Sequence, residues 1–179
     1  VLKSFKKELP DTDDFQNVAK EIPLITKLIN EGYTGRKGKG GFYRINKSNN
    51  DKVLEAINLD TEKYSPSKKI DLKMDTVDIV GLINRDDKYG KYSWSVISKI
   101  ITYASSLVPG ITDKFNDIDE AMRLGFNWAM GPFEMLNEIG PKNFFERLGQ
   151  IRNNKFLENL SKSNDENFYG KRQLYTDIE

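Results

Sequence analysis

Residues 118–140 read IDEAMRLGFNWAMGPFEMLNEIG, and this stretch decides the fold of the chain. Asn116 or Asp117 can cap a first helix through its side-chain oxygen, and the acidic Asp119 then falls in the favourable first turn. Apolar residues recur at helical spacing as far as Gly125, which is a natural residue to end a helix. The pattern predicts one short helix before a glycine break.

A second helix is predicted directly after this break. Gly131 precedes Pro132, which is a favourable first helical residue because its missing N–H would have no partner in that turn. Further apolar residues recur at spacings of three until Gly140. Together the two segments predict a helical hairpin with four main buried side chains: Met122, Trp128, Phe133 and Leu136.

The composition fits a globular protein with a charged surface. Of 179 residues, 37% are hydrophobic and 31% are charged, and 28 basic residues balance 27 acidic ones to a net charge of +1. This balance gives no strong field toward nucleic acid or an anionic membrane. No apolar run approaches the roughly 20 residues that span a bilayer, and the N-terminal residues do not form a signal peptide. Because the chain starts at Val1, within what reads as a helix, we expect it to be part of a longer protein.

Two residue types are absent from the sequence: cysteine and histidine. Without cysteine there are no disulfides, thiol nucleophiles or thiolate metal sites, and a cytoplasmic location fits. Without histidine there is no Ser-His-Asp triad, no histidine acid–base catalysis and no ordinary zinc site. Carboxylate pairs such as Asp86-Asp87 lie in polar stretches that are typical of solvated turns. We therefore predict no catalytic residue and no metal site in this chain.

The apolar periodicity divides the chain into two predicted units. In residues 1–43, Pro23 starts a helix with Gly32 just past its end. Residues 44–73 are polar and are interpreted as a connector with at most short strands or turns. The second unit, residues 74–179, has its clearest amphipathic helix over five positions that step by three and four: Trp94, Ile97, Ile101, Ala104 and Val108.

Two more helices follow near the end of the second unit. One starts at Pro141 and ends at Gly149, and a last short helix contains Phe156, Leu157 and Leu160. Alternating strand patterns are nearly absent, so the predicted class is all-α.

Residues 35–43 read GRKGKGGFY and do not match the known phosphate-binding loops. A P-loop needs Lys-Ser/Thr where Gly41-Phe42 stands, and a dinucleotide fingerprint needs a third glycine where Tyr43 stands. Two interpretations stay open. Either a basic loop contacts substrate through Arg36, Lys37 and Lys39, or Gly35 and Gly38 allow a tight turn and the rings of Phe42 and Tyr43 dock on the helices.

Two stretches carry a resemblance to one enzyme family. Residues 118–140 resemble the segment that marks the C-terminal helical domain of the 3-hydroxyacyl-CoA dehydrogenases of fatty-acid β-oxidation. Residues 32–43 resemble the stretch that closes the first such domain, commonly Gly-x-Lys-(Thr)-Gly-x-Gly-Phe-Tyr. The structural motif residues of this resemblance are Gly35, Gly38, Phe42, Tyr43, Trp128, Gly131, Pro132 and Phe133.

The order of the two stretches implies a tandem arrangement, as in long multifunctional members. Residues 1–43 resemble the end of a first helical copy, residues 44–73 a connector, and residues 74–179 a second copy. The implied fold is all-α, of the 3-hydroxyacyl-CoA dehydrogenase C-terminal type and similar to the C-terminal domain of 6-phosphogluconate dehydrogenase.

The resemblance also implies where the chemistry resides. The family oxidises 3-hydroxyacyl-CoA to 3-oxoacyl-CoA with NAD, using a His-Glu pair and a Rossmann domain that would precede Val1. A family asparagine is expected near Ser93 or Trp94, where none stands, and Asn84-Arg85 lacks the proline that should follow. The chain itself is thus implied to bind no cofactor and to be inactive alone.

The implied partners are an upstream dinucleotide-binding domain of the same protein, the acyl-CoA substrate, a second copy in a homodimer, and the enoyl-CoA hydratase domain that many members carry. The implied role of the chain is structural, as a dimerisation surface and a wall of the acyl-CoA site. Two alternatives stay open: a non-catalytic acyl-CoA-binding or interaction module, and a nucleic-acid binder, against which the near-neutral charge argues.

Overall fold

The computed structural model describes residues 2–47, 52–69, 78–151, 154–163 and 168–169. The chain divides into two compact units, residues 1–73 and residues 74–179. Helices make up most of its regular structure, which confirms the predicted all-α class, and a small sheet lies in the first unit. In the part of the chain that the structure describes, no helix is both long and apolar enough to cross a bilayer.

The first unit begins with three short helices. These are α1 (Leu2–Glu8), α2 (Phe15–Val18) and α3 (Pro23–Asn30). α3 starts at Pro23 as predicted, and Gly32 follows its end with a φ of +86°, a conformation that glycine adopts without steric cost. Leu28 is the buried side chain of α3, whereas Ile25 and Ile29 stay exposed on another part of its surface.

The polar stretch predicted as a connector forms a three-stranded antiparallel sheet in the same compact unit as α3. Its strands are β1 (Tyr43–Asn46), β2 (Val53–Ile57) and β3 (Tyr64–Pro66), in the order β1-β2-β3. Arg44 lies opposite Glu55, and its Nε donates to the Glu55 carboxylate at 2.7 Å. Asn46 Nδ2 donates to the other Glu55 oxygen at 3.0 Å. This cross-strand network pairs β1, which is too short for a long alternating pattern, with β2, whose apolar residues do not alternate with polar ones.

The second unit is helical over its described residues. It contains α4 (Ile79–Ile83), α5 (Lys88–Ser106), α6 (Phe115–Phe126), α7 (Pro132–Ile139), α8 (Pro141–Leu148) and α9 (Lys155–Ser163). α7 is central, because it packs against α4, α5, α6 and α8. The core consists of Ile83, Ile101, Leu136, Ile139, Phe144, Leu157 and Leu160.

Side-chain caps set the starts of several of these helices, among them α5 and α9. Asp87 accepts hydrogen bonds from the N–H groups of Tyr89 and Gly90, both at 3.0 Å, and α5 begins at Lys88, ahead of the first predicted position, Trp94. Buried Asn154 caps α9 by accepting from the Leu157 N–H at 3.0 Å, and its Nδ2 donates to the carbonyl of Thr102 on α5 at 2.9 Å. α8 and α9 lie where the sequence predicts them.

The predicted hairpin forms, but its first helix has other ends. α6 begins at Phe115, so Asn116 and Asp117 lie inside the helix and neither caps it. It also continues through Gly125 to Phe126. Asn127 follows its end in the left-handed conformation, with a φ of 55° that asparagine tolerates. Of the four side chains predicted to be buried, Phe133 and Leu136 are fully buried, whereas Met122 and Trp128 are only partly buried.

Candidate functional site

The Gly-Pro start of α7 is held by a buried carboxylate from α6. Asp119 Oδ1 accepts the N–H of Phe133 at 2.8 Å, and Asp119 Oδ2 accepts the N–H of Glu134 at 2.9 Å. These two N–H groups have no carbonyl partner within the first turn of a helix. Gly131 has no side chain that could cap them, so Asp119 supplies the missing cap from a residue twelve positions earlier.

Glu134 completes this arrangement. Its Oε2 accepts the N–H of Gly131 at 2.7 Å, which is the backward half of a capping box. Its Oε1 accepts from the Arg123 guanidinium at 2.9 Å, and both side chains are largely buried. A buried carboxylate requires such a partner, since an isolated buried charge is costly. Arg123 thus links the last turns of α6 to the first turn of α7.

A glycine is required at position 131 because the neighbouring atoms leave no room for a side chain. A Cβ built on Gly131 would overlap the carboxyl group and the Cα of Asp119. The glycine therefore allows α6 and the start of α7 to approach closely enough for the Asp119 hydrogen bonds. Pro132 follows as the first helical residue, where no N–H is needed.

The environment of Asp119 shifts its proton affinity. Burial raises the pKa of Asp119 to about 6, and this outweighs the hydrogen bonds from the Phe133 N–H, the Tyr169 hydroxyl and the Glu134 N–H, which favour the carboxylate. The pKa of Tyr169 is raised as well, because its hydroxyl is also buried and lies beside the Asp119 charge. One carboxylate therefore joins α6, the start of α7 and Tyr169.

Aromatic rings surround this junction and hold Phe133 in place. The Phe133 ring centroid lies 5.3 Å from that of Phe115 on α6 and 5.1 Å from that of Phe156 on α9. Phe168 and Tyr169 also contact Phe115, each at 5.4 Å between centroids. Such offset and edge-on contacts add stability beyond apolar burial. The junction is thus a packed structural centre and not an open cleft.

The positions that the family resemblance compares with the family asparagine have structural roles. Asn84 Oδ1 accepts from the Arg147 guanidinium at 3.0 Å, and Arg85 pairs with Asp87. The Trp94 ring packs at 5.5 Å from Phe144, and the Arg147 guanidinium lies 4.3 Å from the Trp94 centroid. Within the described ranges, no group of three or more acidic residues could hold a metal ion.

The glycine-rich loop of the first unit is a tight turn. Gly35 and Gly40 form an isolated antiparallel bridge, in which the Gly35 N–H donates to the Gly40 carbonyl at 2.6 Å. The Gly38 N–H donates to the Gly35 carbonyl at 2.9 Å. The Tyr64 hydroxyl donates to the Gly41 carbonyl at 2.6 Å and ties the loop to β3. This geometry agrees with the prediction that glycines let the chain bend here.

The other predicted residues of the loop do not form a single site. Arg36 and Lys39 line an open groove of the first unit, whereas Lys37 is exposed on the loop and does not line it. Lys39 Nζ donates to the carbonyl of Glu31 at 2.9 Å. The docking of Phe42 and Tyr43 on the helices is wrong: their side chains are 44% and 61% exposed, because β1 directs Tyr43 to an open face of the sheet.

Comparison with known proteins identifies the domain that contains the α6–α7 junction. Residues 95–168 match the family model described as 3-hydroxyacyl-CoA dehydrogenase, C-terminal domain. The chain carries a 3-hydroxyacyl-CoA dehydrogenase C-terminal domain. The match runs from within α5 to Phe168, so this domain includes Asp119, Gly131 and Glu134.

Relatives of the chain agree with this family. A Rickettsia felis protein, provisionally named a fatty acid oxidation complex trifunctional enzyme, is 41% identical over 128 residues, which is 72% of this chain and 18% of that protein. A Rickettsia prowazekii protein with the same name is 38% identical over 135 residues, 75% of this chain and 18% of its own length. A Bacillus subtilis protein, provisionally named a 3-hydroxyacyl-CoA dehydrogenase, is 28% identical over 166 residues, 88% of this chain and 21% of its own length.

The chain therefore spans only 18% to 21% of the length of these relatives. No solved structure matches the chain significantly. The 3-hydroxyacyl-CoA dehydrogenase C-terminal domain was recognisable from the order of residues 118–140. The central role of Asp119 was not predicted, although one signal was present. A Gly-Pro helix start offers no capping side chain of its own, so a polar group from elsewhere has to cap it.

Proposed function

We propose that the chain is a non-catalytic helical part of an NAD-dependent 3-hydroxyacyl-CoA dehydrogenase that acts in fatty-acid β-oxidation. The observation that carries the proposal is the α6–α7 junction. Its buried carboxylates, Asp119 and Glu134, are the groups with the chemistry to act as acid or base. Asp119 accepts hydrogen bonds from the N–H groups of Phe133 and Glu134, and Glu134 accepts from the Gly131 N–H and from Arg123. Packed aromatic rings surround both carboxylates. They stabilise the helical domain and have no access to a substrate.

The hydride transfer then depends on residues outside these 179. The chain has no histidine to serve as the general base of the reaction. We assign the dinucleotide-binding domain, its NAD and the catalytic pair to other parts of the same protein. In this arrangement residues 1–43 end a first helical copy, residues 44–73 connect, and residues 74–179 form a second copy. A cytoplasmic location and a homodimer belong to the same proposal.

The proposed contribution to the reaction is a wall of the acyl-CoA site. A helical domain with a rigid core can hold such a wall in place because its helices are fixed by packing and by caps. The predicted contact of substrate with Arg36, Lys37 and Lys39 remains a separate prediction. Arg36 and Lys39 share a groove, and Lys37 does not line it.

Calorimetric titration of acetoacetyl-CoA into the 179-residue chain tests whether the chain forms a wall of the acyl-CoA site. We expect heat that is absent when free coenzyme A replaces the thioester. An Arg36→Glu variant tests whether the glycine-rich loop contributes to thioester binding. Its control is Lys142→Glu, at an exposed position of α8. If acetoacetyl-CoA releases no heat, the chain is not a wall of the substrate site, and only its structural role is retained.

The alternative of an interaction module is favoured by one observation, the exposed apolar groove of the first unit. The two functions are distinguishable, because the groove involves residues of α3, β1 and β2 and none of the α6–α7 junction.

A further inference from the structure

One face of the small sheet is apolar and open. Tyr43 and Ile45 alternate with Arg44 and Asn46 along β1, so their side chains project to the opposite face. Leu54 on β2 lies directly opposite Ile45 and shares that face. The side chains of Ile45 and Leu54 are 58% and 52% exposed, whereas the Arg44–Glu55 network occupies the other side. An antiparallel sheet normally directs its polar face to solvent, so this face lacks a covering element.

The exposed face of the sheet continues onto α3. Ile25 and Ile29 are four residues apart on α3, and they line the same groove as Tyr43, Ile45 and Leu54. We call the surface formed by these five residues the α3–β1 groove. It forms part of an open groove of about 1270 Å³. A contiguous exposed apolar surface of this kind marks an interaction site.

The basic residues that line the α3–β1 groove favour a partner with acidic residues. The described lining residues include the cations Arg36, Lys39, Arg44 and Lys47 and no carboxylate. Of these cations, Arg44 is paired with Glu55. The ammonium group of Lys39 donates to a backbone carbonyl and not to an acidic side chain, so this hydrogen bond does not neutralise its positive charge. A second copy of this chain docked through the same face would bring these cations against each other, which is unfavourable. An occupant with acidic residues beside its apolar surface fits instead.

We propose that the α3–β1 groove docks an amphipathic helix of another protein segment, with an apolar stripe flanked by Asp and Glu. This is the helix-in-groove mode, in which residues at i, i+3, i+4 and i+7 enter the groove. The stripe packs on Ile29, Ile45 and Leu54. The acidic flanks approach Arg36 and Lys47 at the rim. This inference does not depend on the dehydrogenase function, because it uses residues of the first unit only.

Two synthetic peptides test the charge and the helix together. Both have about 16 residues, with leucines at i, i+3, i+4 and i+7, and they differ only in carrying glutamate or lysine on the flanks. Calorimetry with the 179-residue chain should show binding of the glutamate peptide and at least about tenfold weaker binding of the lysine peptide. The glutamate peptide should gain helical circular dichroism when it binds. Absence of binding, or equal binding of both peptides, would overturn the proposal.

Matched variants locate the binding. Ile45→Asp and Ile29→Asp each place a carboxylate in the groove. Each should weaken binding of the glutamate peptide about tenfold or more. Ile111→Asp changes a still more exposed isoleucine in the second unit, and this variant should bind the peptide like the wild type. Circular dichroism of each variant verifies its fold. Equal binding by the folded groove variants would contradict the proposal, as would displacement of the glutamate peptide by dodecanoyl-CoA, which would assign the groove to a thioester.

Discussion

At the residue scale, the helical domain depends on the contact between Asp119 and Gly131. Asp119 provides the N-terminal cap that Gly131 cannot provide, and Gly131 leaves the space that the Asp119 carboxyl group occupies. Each residue therefore has its role only in the presence of the other. Since they lie twelve positions apart in sequence, neither helical spacing nor local capping rules could pair them. The Gly-Pro start of α7 was predictable because it is local.

A Gly131→Ala substitution tests the space at this contact. The added methyl group has to displace Asp119, so we expect the free energy of unfolding to fall by about 1–3 kcal/mol or more. Gly125→Ala is the matched control, because no atom lies within 4 Å of its Cβ position in α6. That change should leave stability equal or raise it by up to about 1 kcal/mol. Urea unfolding of both variants provides the comparison, and equal stabilities would contradict the assigned role of Gly131.

The pKa of Asp119 predicts a dependence of stability on pH. The folded-state pKa is raised to about 6 from the ordinary 3.8, so the folded chain binds this proton more tightly than the unfolded chain does. The stabilisation from this proton is complete at low pH. The free energy of unfolding then falls as pH rises between about 4 and 6. Asp119→Asn has no such proton to release and should show a smaller fall in this window. Urea unfolding of both proteins across that range measures the difference, and parallel curves would show that Asp119 does not titrate as described.

At the element scale, α7 is the helix on which the second unit is assembled. Its buried residues contact four other helices, and Phe133 lies among the rings of Phe115 and Phe156. We expect Phe133→Ala to lower the free energy of unfolding by about 3–5 kcal/mol, because it leaves a cavity in a packed centre. Phe126→Ala makes the same chemical change at an exposed position and should shift stability by only about 0.5 kcal/mol. A Phe133→Ala variant that melts like the wild type would refute this packing.

The start of α5 depends on Asp87. Its pKa is lowered to about 2 from 3.8, by the Arg85 guanidinium first and by the backbone N–H groups of Gly90 and Tyr89. The stabilisation is thus complete above about pH 4 and is lost as pH falls toward about 2. Asp87→Ala should lower the urea midpoint at neutral pH, and this difference from the wild type should shrink as pH falls through that window. Asp86→Ala, next to it in sequence, should have little effect at any pH, because its side chain is 99% exposed. A pH-independent difference would exclude the charged cap.

The sequence was a better guide to helices than to strands. α3, α7 and α8 each begin at a proline and are followed by a glycine, and these three helices and α9 have apolar residues at helical spacing, so their signals are local. The sheet of the first unit was expected as no more than short strands. Tyr43 and Ile45 give only two alternating apolar positions, and the pairing depends on the contact of Arg44 with Glu55, eleven residues away. That contact is not visible in a local pattern.

At the scale of the whole molecule, the two units differ in how much of their apolar surface is covered. The second contains the matched dehydrogenase C-terminal domain and buries Phe133 and Phe144 completely. The first exposes the apolar α3–β1 groove, which the sequence did not predict because Phe42 and Tyr43 were expected to dock on helices. The exposure of a strand face depends on which other elements cover it, and residue types alone do not specify this.

We propose that these 179 residues support a 3-hydroxyacyl-CoA dehydrogenase without performing its reaction. The rate of NADH oxidation, measured when the purified chain is mixed with NADH and acetoacetyl-CoA, tests this proposal. We expect a rate equal to that of the same mixture without protein. Oxidation above this background that grows in proportion to the concentration of the chain would contradict it, and would place catalytic residues within these 179.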